Sequence, residues 1–252
     1  MNHINGKVYF VSDAHLGVPD FESSRQREEK LVRWLDGIKE EATHLFLLGD
    51  IFDYWFEYKK VIPRGYVRLL GKLAEMTDNG IEIYFFTGNH DMWVRDYFEK
   101  EIGIKIFRKP ETFVINGLKT FVGHGDGLGP RDVGYKILKR IFESKINQWL
   151  FARLHPNFAF SMAQYLSRRS RAANATKDEI YHGDNNEFLI LFVKEMIKKE
   201  PFDYFIFGHR HLALEMDIDK QTKYINTGDW VRIFSYAETE DDKICLKYFE
   251  RE

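Results

Sequence analysis

One pattern recurs along this chain and constrains its fold more than any other: an apolar run of strand length that ends abruptly in a turn carrying Asp, Asn or His. The central copy is His44-Leu-Phe-Leu-Leu-Gly-Asp50-Ile-Phe-Asp53. Leu45 to Leu48 reads as a buried parallel strand with both faces covered, and Gly49-Asp50 closes it. Four other segments have the same form: Val8-Tyr-Phe-Val-Ser-Asp13-Ala-His15, Ile81-Glu-Ile-Tyr-Phe-Phe-Thr-Gly88-Asn89-His90-Asp91, Thr120-Phe-Val-Gly-His124-Gly-Asp126 and Tyr204-Phe-Ile-Phe-Gly-His209-Arg-His211. Ligands of open α/β sheets sit at the carboxyl ends of strands. A charge at the edge of a core needs partners, so five such ends are expected to converge on one site.

The segments between these runs set the topology. Glu22 to Ile38 predicts an amphipathic helix with Leu31, Trp34, Leu35 and Ile38 on one face and Ser23 or Ser24 as its cap. Tyr66 to Met76 predicts a second helix, ended by Asn79-Gly80. The β-α-β-α-β order implies a parallel sheet with crossover helices. A short helix near Asp96 to Glu101 follows, then a hairpin of Thr112 to Ile115 with Lys119 to Val122, turning at Asn116-Gly117. Strands are also expected over Leu214 to Ile218, Tyr224 to Asn226, Val231 to Tyr236 and Ile244 to Phe249. Before them, Glu187 to Lys199 has the periodicity of a helix with Phe188, Leu191, Phe192 and Ile197 buried. The expected class is α/β: two sheets face to face with helices outside, in one domain over 1–252.

Residues 131–177 read differently, as a helical insert broken at Pro156. The net charge of the whole chain is −2, yet this stretch holds ten basic residues against Asp132 and Glu143. Such a local field bears on partners, not on fold. The remaining composition (44% hydrophobic, 30% charged, a single cysteine) excludes a disulfide scaffold and fits a cytoplasmic protein with a full core. No apolar run approaches the roughly 18 residues of a membrane span, and the first strand begins too early for a signal peptide.

Asp13, His15, Asp50, Asn89, His124, His209 and His211 form a set of seven nitrogen and oxygen donors without a thiolate. That chemistry suits Mn²⁺, Fe²⁺ or Zn²⁺, and seven donors exceed what one ion needs. Two divalent ions sharing a carboxylate would use them all, with Asp50 on the central strand as the bridge. Glycines 49, 88, 123 and 208 precede four of these residues, where the backbone must turn sharply.

Taken together, Ser-Asp13-Ala-His15, Gly-Asp50-Ile-Phe-Asp53, Gly-Asn89-His90-Asp91, Gly-His124-Gly-Asp126 and Gly-His209-Arg-His211 resemble the five motifs of the calcineurin-like metallophosphoesterases. The resemblance implies a four-layer αββα sandwich. It implies that Asp13, His15, Asp50 and His211 hold one ion, and Asp50, Asn89, His124 and His209 the other. His90 would meet the leaving-group oxygen, with Asp91 orienting it.

A narrower resemblance joins Asp50-Ile-Phe-Asp-Tyr-Trp55, Asp132-Val-Gly-Tyr135 and Ser167-Arg-Arg-Ser170-Arg-Ala-Ala-Asn174-Ala-Thr-Lys177 to the UDP-2,3-diacylglucosamine diphosphatases of lipid A synthesis. That family hydrolyses a nucleotide-linked acylated sugar to UMP and 2,3-diacylglucosamine 1-phosphate. By this match Asn89, His90, Asp132, Ser170, Asn174, Lys177 and His209 contact substrate, and the insert forms a lid with an acyl groove. Basic residues interleaved with Phe142, Trp149, Leu150, Phe151, Phe158, Phe160 and Met162 also suit peripheral binding to the anionic inner face of a membrane. The family pattern has Arg where His90 stands, which leaves open another phosphodiester, nucleotide or pyrophosphate as substrate. A nucleic-acid backbone is not expected, because the insert lacks a hairpin of stacking aromatics. A binding module without catalysis is the remote alternative, since all the donors are present.

Overall fold

The computed structural model describes residues 2–130, 133–174, 180–181 and 183–250. Among the described residues, twelve strands form two six-stranded sheets. In chain order they are β1 (Asn2–Ile4), β2 (Lys7–Val11), β3 (Ala42–Leu47), β4 (Glu82–Phe86), β5 (Lys105–Phe107), β6 (Glu111–Ile115), β7 (Leu118–Val122), β8 (Tyr204–Phe207), β9 (Ala213–Asp217), β10 (Lys223–Thr227), β11 (Ser235–Glu240) and β12 (Lys243–Tyr248). One sheet runs β12-β11-β2-β3-β4-β5 and the other β1-β6-β7-β8-β10-β9. The helices are α1 (Phe21–Ile38), α2 (Val67–Asp78), α3 (Val133–Glu143), α4 (Lys145–Phe151), α5 (Pro156–Asn174) and α6 (Phe188–Ile197), with one wide helical turn at Phe98–Ile102.

Strand alternation builds the layers. Val8, Phe10, Phe46, Leu48, Tyr84 and Phe86 point inward and pack against Phe113, Ile115, Val122, Ile206 and Ile225 of the facing sheet. The alternate residues Tyr9, Val11, Leu45, Leu47, Ile83 and Phe85 point outward, where Leu31, Trp34 and Leu35 of α1 and Leu69 and Leu73 of α2 cover them. On the far side, Leu189, Ile190 and Val193 of α6 cover Phe205, Phe207 and Tyr224. The order is therefore helix, sheet, sheet, helix, and the expected αββα sandwich is what forms. Strands β2, β3 and β4 are adjacent and parallel, as are β7 and β8, so the carboxyl ends that matter come in two neighbouring groups.

Several local expectations differ from what forms. Asp20, not Ser23 or Ser24, caps α1, accepting the Ser23 N–H at 2.9 Å. Ser24 instead accepts the Gly17 N–H at 2.7 Å. Pro156 opens α5, where its missing N–H costs nothing. The strand expected over Val231 to Tyr236 begins only at Ser235. Before it, the Asp229 carboxylate takes the N–H groups of Val231 and Arg232 at 2.7 and 2.6 Å and closes a turn. Strands β1 and β5, three residues each, carry too little periodicity to be read from sequence. Helices α3, α4 and α5 separate β7 from α6 and leave Ile146, Trp149, Phe158 and Tyr165 exposed.

Candidate metal centre and active site

The turns after β2, β3, β4, β7 and β8 bring all seven proposed donors to one place. Asp13, His15 and His211 have ligand atoms within 4.8 Å of one another, and so do Asp50, His124 and His209. The two groups meet at one oxygen. Asp50 Oδ2 lies 3.8 Å from His15 Nε2 and 3.4 Å from His124 Nε2. Asn89 joins the second group, its Oδ1 3.2 Å from His124 Nε2. His211 Nε2 lies 3.4 Å from Asp13 Oδ1 and 3.2 Å from His15 Nε2.

The backbone needed for this approach explains two glycines. A Cβ at Gly88 would overlap the Asp50 carboxylate, and one at Gly208 would overlap Ser12 and the Asp13 carboxylate. The His209 N–H donates to Asp13 Oδ2 at 2.9 Å and the His90 N–H to Asp50 Oδ1 at 2.8 Å, which ties the turns together across the gap.

Ring orientations are set from behind. His124 Nδ1 donates to the Leu48 carbonyl at 2.7 Å, leaving Nε2 to face the cluster. His211 Nδ1 lies 3.8 Å from Asp229 Oδ2, and His15 Nδ1 the same distance from Asp53 Oδ1. Asp229 and Asp53 are thus part of the site. Asp229 is the Asp of a Gly-Asp step just after β10, the same signal that marks Asp50, and could have been found by it.

The electrostatics fit a cation. Asp13 is fully buried and its Oδ1, aimed at His15 and His211, has no hydrogen-bond partner among the described residues. Burial raises the Asp13 carboxyl above its ordinary range even with His211 and His124 opposing it. Burial also raises Asp50, but the imidazoles of His124 and His90 outweigh it and hold Asp50 ionised. His209 is pushed down to about 3 by burial and by His124. His124 is lowered by burial but raised more by Asp50, to about 10. Carboxylates and imidazoles without thiolates, with one buried acceptor lacking a donor, suit a pair of hard or borderline divalent ions.

The surroundings of His90 differ from the expectation. Asp91 does not orient it. The Asp91 carboxylate is fully buried and takes the backbone N–H groups of Gly88 at 2.7 Å and Ile51 at 2.9 Å, so it braces two of the site's turns. Consecutive side chains in a tight turn diverge, and Asp91 points into the core. His90 Nδ1 instead faces the Asp53 carbonyl at 3.0 Å and the Asp53 carboxylate at 3.5 Å. Ser167 of α5 completes this group: its hydroxyl donates to Asp53 Oδ2 at 2.7 Å and lies 3.4 Å from His90 Nδ1. Of the expected substrate contacts, Asp132 and Lys177 lie outside the described residues. Ser170 and Asn174 fall in α5, with side chains outside the described part.

Comparison with known proteins follows the same lines. The family model for calcineurin-like phosphoesterases matches residues 6–213. A UDP-2,3-diacylglucosamine hydrolase of Porphyromonas gingivalis is 37% identical over 98% of this chain and 99% of its own length. One from Histophilus somni is 26% identical over 92% of this chain and 95% of its own. Aeromonas salmonicida has another, 28% identical over 88% of this chain and 85% of its own. With the family model spanning every turn that carries one of the seven donors, the chain belongs to the calcineurin-like phosphoesterases.

Proposed function

We propose that this chain hydrolyses the pyrophosphate of UDP-2,3-diacylglucosamine, giving UMP and 2,3-diacylglucosamine 1-phosphate for lipid A synthesis. The observation that carries the reading is the convergence of seven donors on the two sides of Asp50 Oδ2, in a chain alike over its full length to enzymes named for that substrate. Asp13, His15, Asp50 and His211 would hold one divalent ion, and Asp50, Asn89, His124 and His209 the other, with Mn²⁺ preferred and Fe²⁺ or Zn²⁺ compatible. When bound, such a pair neutralises a phosphoryl group and acidifies a water molecule.

The chain's own residues then divide the remaining work. Water gives up a proton to the solvent as its oxygen adds to the phosphorus that carries uridine, and the bond from that phosphorus to the bridging oxygen breaks. The bond's electron pair goes to the bridging oxygen, which takes a proton from His90 as the sugar 1-phosphate departs. Asp53 keeps the His90 ring turned so that Nε2 faces the reacting oxygen, with Ser167 linking that pair to α5. The insert is a lid in this reading. Ile146, Trp149, Phe158, Tyr165 and Leu166 are more than half exposed among basic residues, a surface suited to acyl chains and an anionic membrane face. Among the described residues no helix is long and apolar enough to cross a membrane, so the proposed association is peripheral.

The test is direct. Purified protein with Mn²⁺ should release UMP from UDP-2,3-diacylglucosamine, and no release from authentic substrate would reject the reading. A second reading, a phosphodiesterase for other small diesters, draws on His90 in the place of the diphosphatase Arg. Rapid turnover of a simple aryl phosphodiester together with indifference to acyl chains would favour it.

A further inference from the structure

A cleft of about 270 Å³ opens beside His124, and its lining includes none of Ser167, Asp53 and His90, which group together elsewhere in the site. Its walls come from four places: Thr87 after β4, Arg108-Lys109-Pro110 before β6, the turn from His124 to Leu128 after β7, and Lys136, Lys139 and Arg140 of α3. Five cations line it against two carboxylates, Asp126 and Glu143. Asp126 is already engaged, accepting from Lys139 Nζ and from the Tyr135 hydroxyl, each at 2.6 Å. Lys109 and Arg140 are exposed and form no ion pair among the described residues. Positive charge held on one wall of a site for a phosphate ester, with no anion to use it, marks a place for an anionic group.

Size and position decide which group. The cleft is slightly smaller than the roughly 300 Å³ at which pockets for drug-sized ligands begin, so it admits a nucleoside-sized group and not two acyl chains. The acylated half has its own place, because His90, which would meet its departing oxygen, faces α5 through Asp53 and Ser167. The uridine stays on the phosphorus that water attacks, and His124 belongs both to the cluster and to the cleft wall.

We infer that the cleft lined by Arg108, Lys109, Lys136 and Arg140 is the nucleotide subsite, taking the uridine monophosphate half of the substrate while the acylated sugar phosphate lies toward α5. The inference rests on the proposed reaction, since it assigns the two halves of that substrate to two separate groups of residues. Pro110 and Leu128 give the base an apolar wall and Thr87 a polar one, while Lys109 and Arg140 meet negative charge.

The experiment titrates UMP, uridine and inorganic phosphate separately into the Mn²⁺-loaded protein by calorimetry. UMP should bind more tightly than either fragment, and Arg140→Glu and Lys109→Glu should each weaken it roughly tenfold. Lys220→Glu changes net charge equally on a distant exposed turn and should leave UMP binding as it was. Three results would overturn the subsite: equal binding of phosphate and UMP, no effect of the two cleft variants, or equal weakening by Lys220→Glu. UMP binding that depends on the cleft, in a protein that leaves UDP-2,3-diacylglucosamine intact, would sink the proposed reaction and keep the subsite. Turnover of that substrate with cleft-independent UMP binding would do the reverse.

Discussion

Arg210 stands between two proposed ligands, His209 and His211, and its guanidinium is buried with Glu187 at the start of α6. Nε lies 2.9 Å from Glu187 Oε2 and Nη2 3.1 Å from Oε1, a two-pronged pair in which both residues are about 95% buried. Nη2 also donates to the Ile180 carbonyl at 3.1 Å. Removing one charge from such a pair costs about 3–5 kcal/mol, because the other stays in the low-dielectric interior. For a chain of this size each kcal/mol moves Tm by about 2–4 °C. Glu187→Gln, which keeps shape and loses charge, should therefore lower the Tm of the metal-free protein by about 10 °C. The same change frees the loop that carries both histidines, and metal affinity should fall about 10- to 100-fold, as when a supporting contact is lost. Calorimetric unfolding of the metal-free protein and competition with a chelating dye would measure the two effects. Replacing both partners, Glu187→Leu with Arg210→Met, should recover most of the Tm because no charge is left buried. A double variant as unstable as Glu187→Gln would refute the argument, since packing rather than charge would then be what matters.

Other predictions address the site itself. Asp50→Ala should abolish turnover and reduce bound metal from two equivalents to almost none by elemental analysis; one retained equivalent would show that the carboxylate is not shared. His90→Gln should keep both ions but lower kcat by about 10²- to 10⁴-fold, and normal kcat would remove His90 from the reaction. Dialysis against a chelator should lower Tm, and free ion at about 100 times its Kd should restore about 2.7 kcal/mol; an unchanged Tm would speak against two ions in a buried site. Ile146→Glu with Trp149→Glu should weaken sedimentation with anionic vesicles and raise KM, while stability stays within about 0.5 kcal/mol because both positions are exposed.

The parts of the fold legible in sequence are those in which local chemistry and the global arrangement agree. Val8 to Val11 and Leu45 to Leu48 are apolar at every position because both faces of the inner strands are covered, and this alone implies layers on each side. Asn116-Gly117 turns as expected, with φ of 49° and 87° matching the hairpin it joins. Less could be read where a side chain's partner is set by the tertiary structure. The family resemblance implied that Asp91 orients His90, yet Asp91 braces Gly88 and Ile51 while Asp53, far away in sequence, faces the imidazole. Ser167 lies 114 residues from Asp53 and no spacing links them. The pairing of β1 with β6, over three residues, is likewise invisible to any local pattern.

The turns themselves show why the donor pattern and the strand pattern coincide. Asp13, His15, Asp50, His209 and His211 all adopt left-handed backbone conformations, with φ of 53°, 42°, 52°, 68° and 49°. Asp and His tolerate this region better than most residues, but each such position still costs on the order of 1–3 kcal/mol. Five of them sum to about 5–15 kcal/mol, the whole net stability of an ordinary domain. Glycine would remove that cost and also remove the donor, so the strain follows from needing a side chain at the point where the chain reverses. The surrounding bonds hold the conformation: Asp13 N–H to the Gly49 carbonyl at 3.1 Å, His15 N–H to the Asp50 carbonyl at 2.9 Å and Trp230 N–H to the Asp13 carbonyl at 3.1 Å. Each fixes one turn against a neighbouring one, so Asp13, His15 and Asp50 are held together. A left-handed residue throws its side chain off the strand axis and into the gap where the carboxyl ends of the two sheets meet. A relaxed β-strand ending would send the same side chains along the strand or onto the sheet faces, where the apolar layers have no room for them.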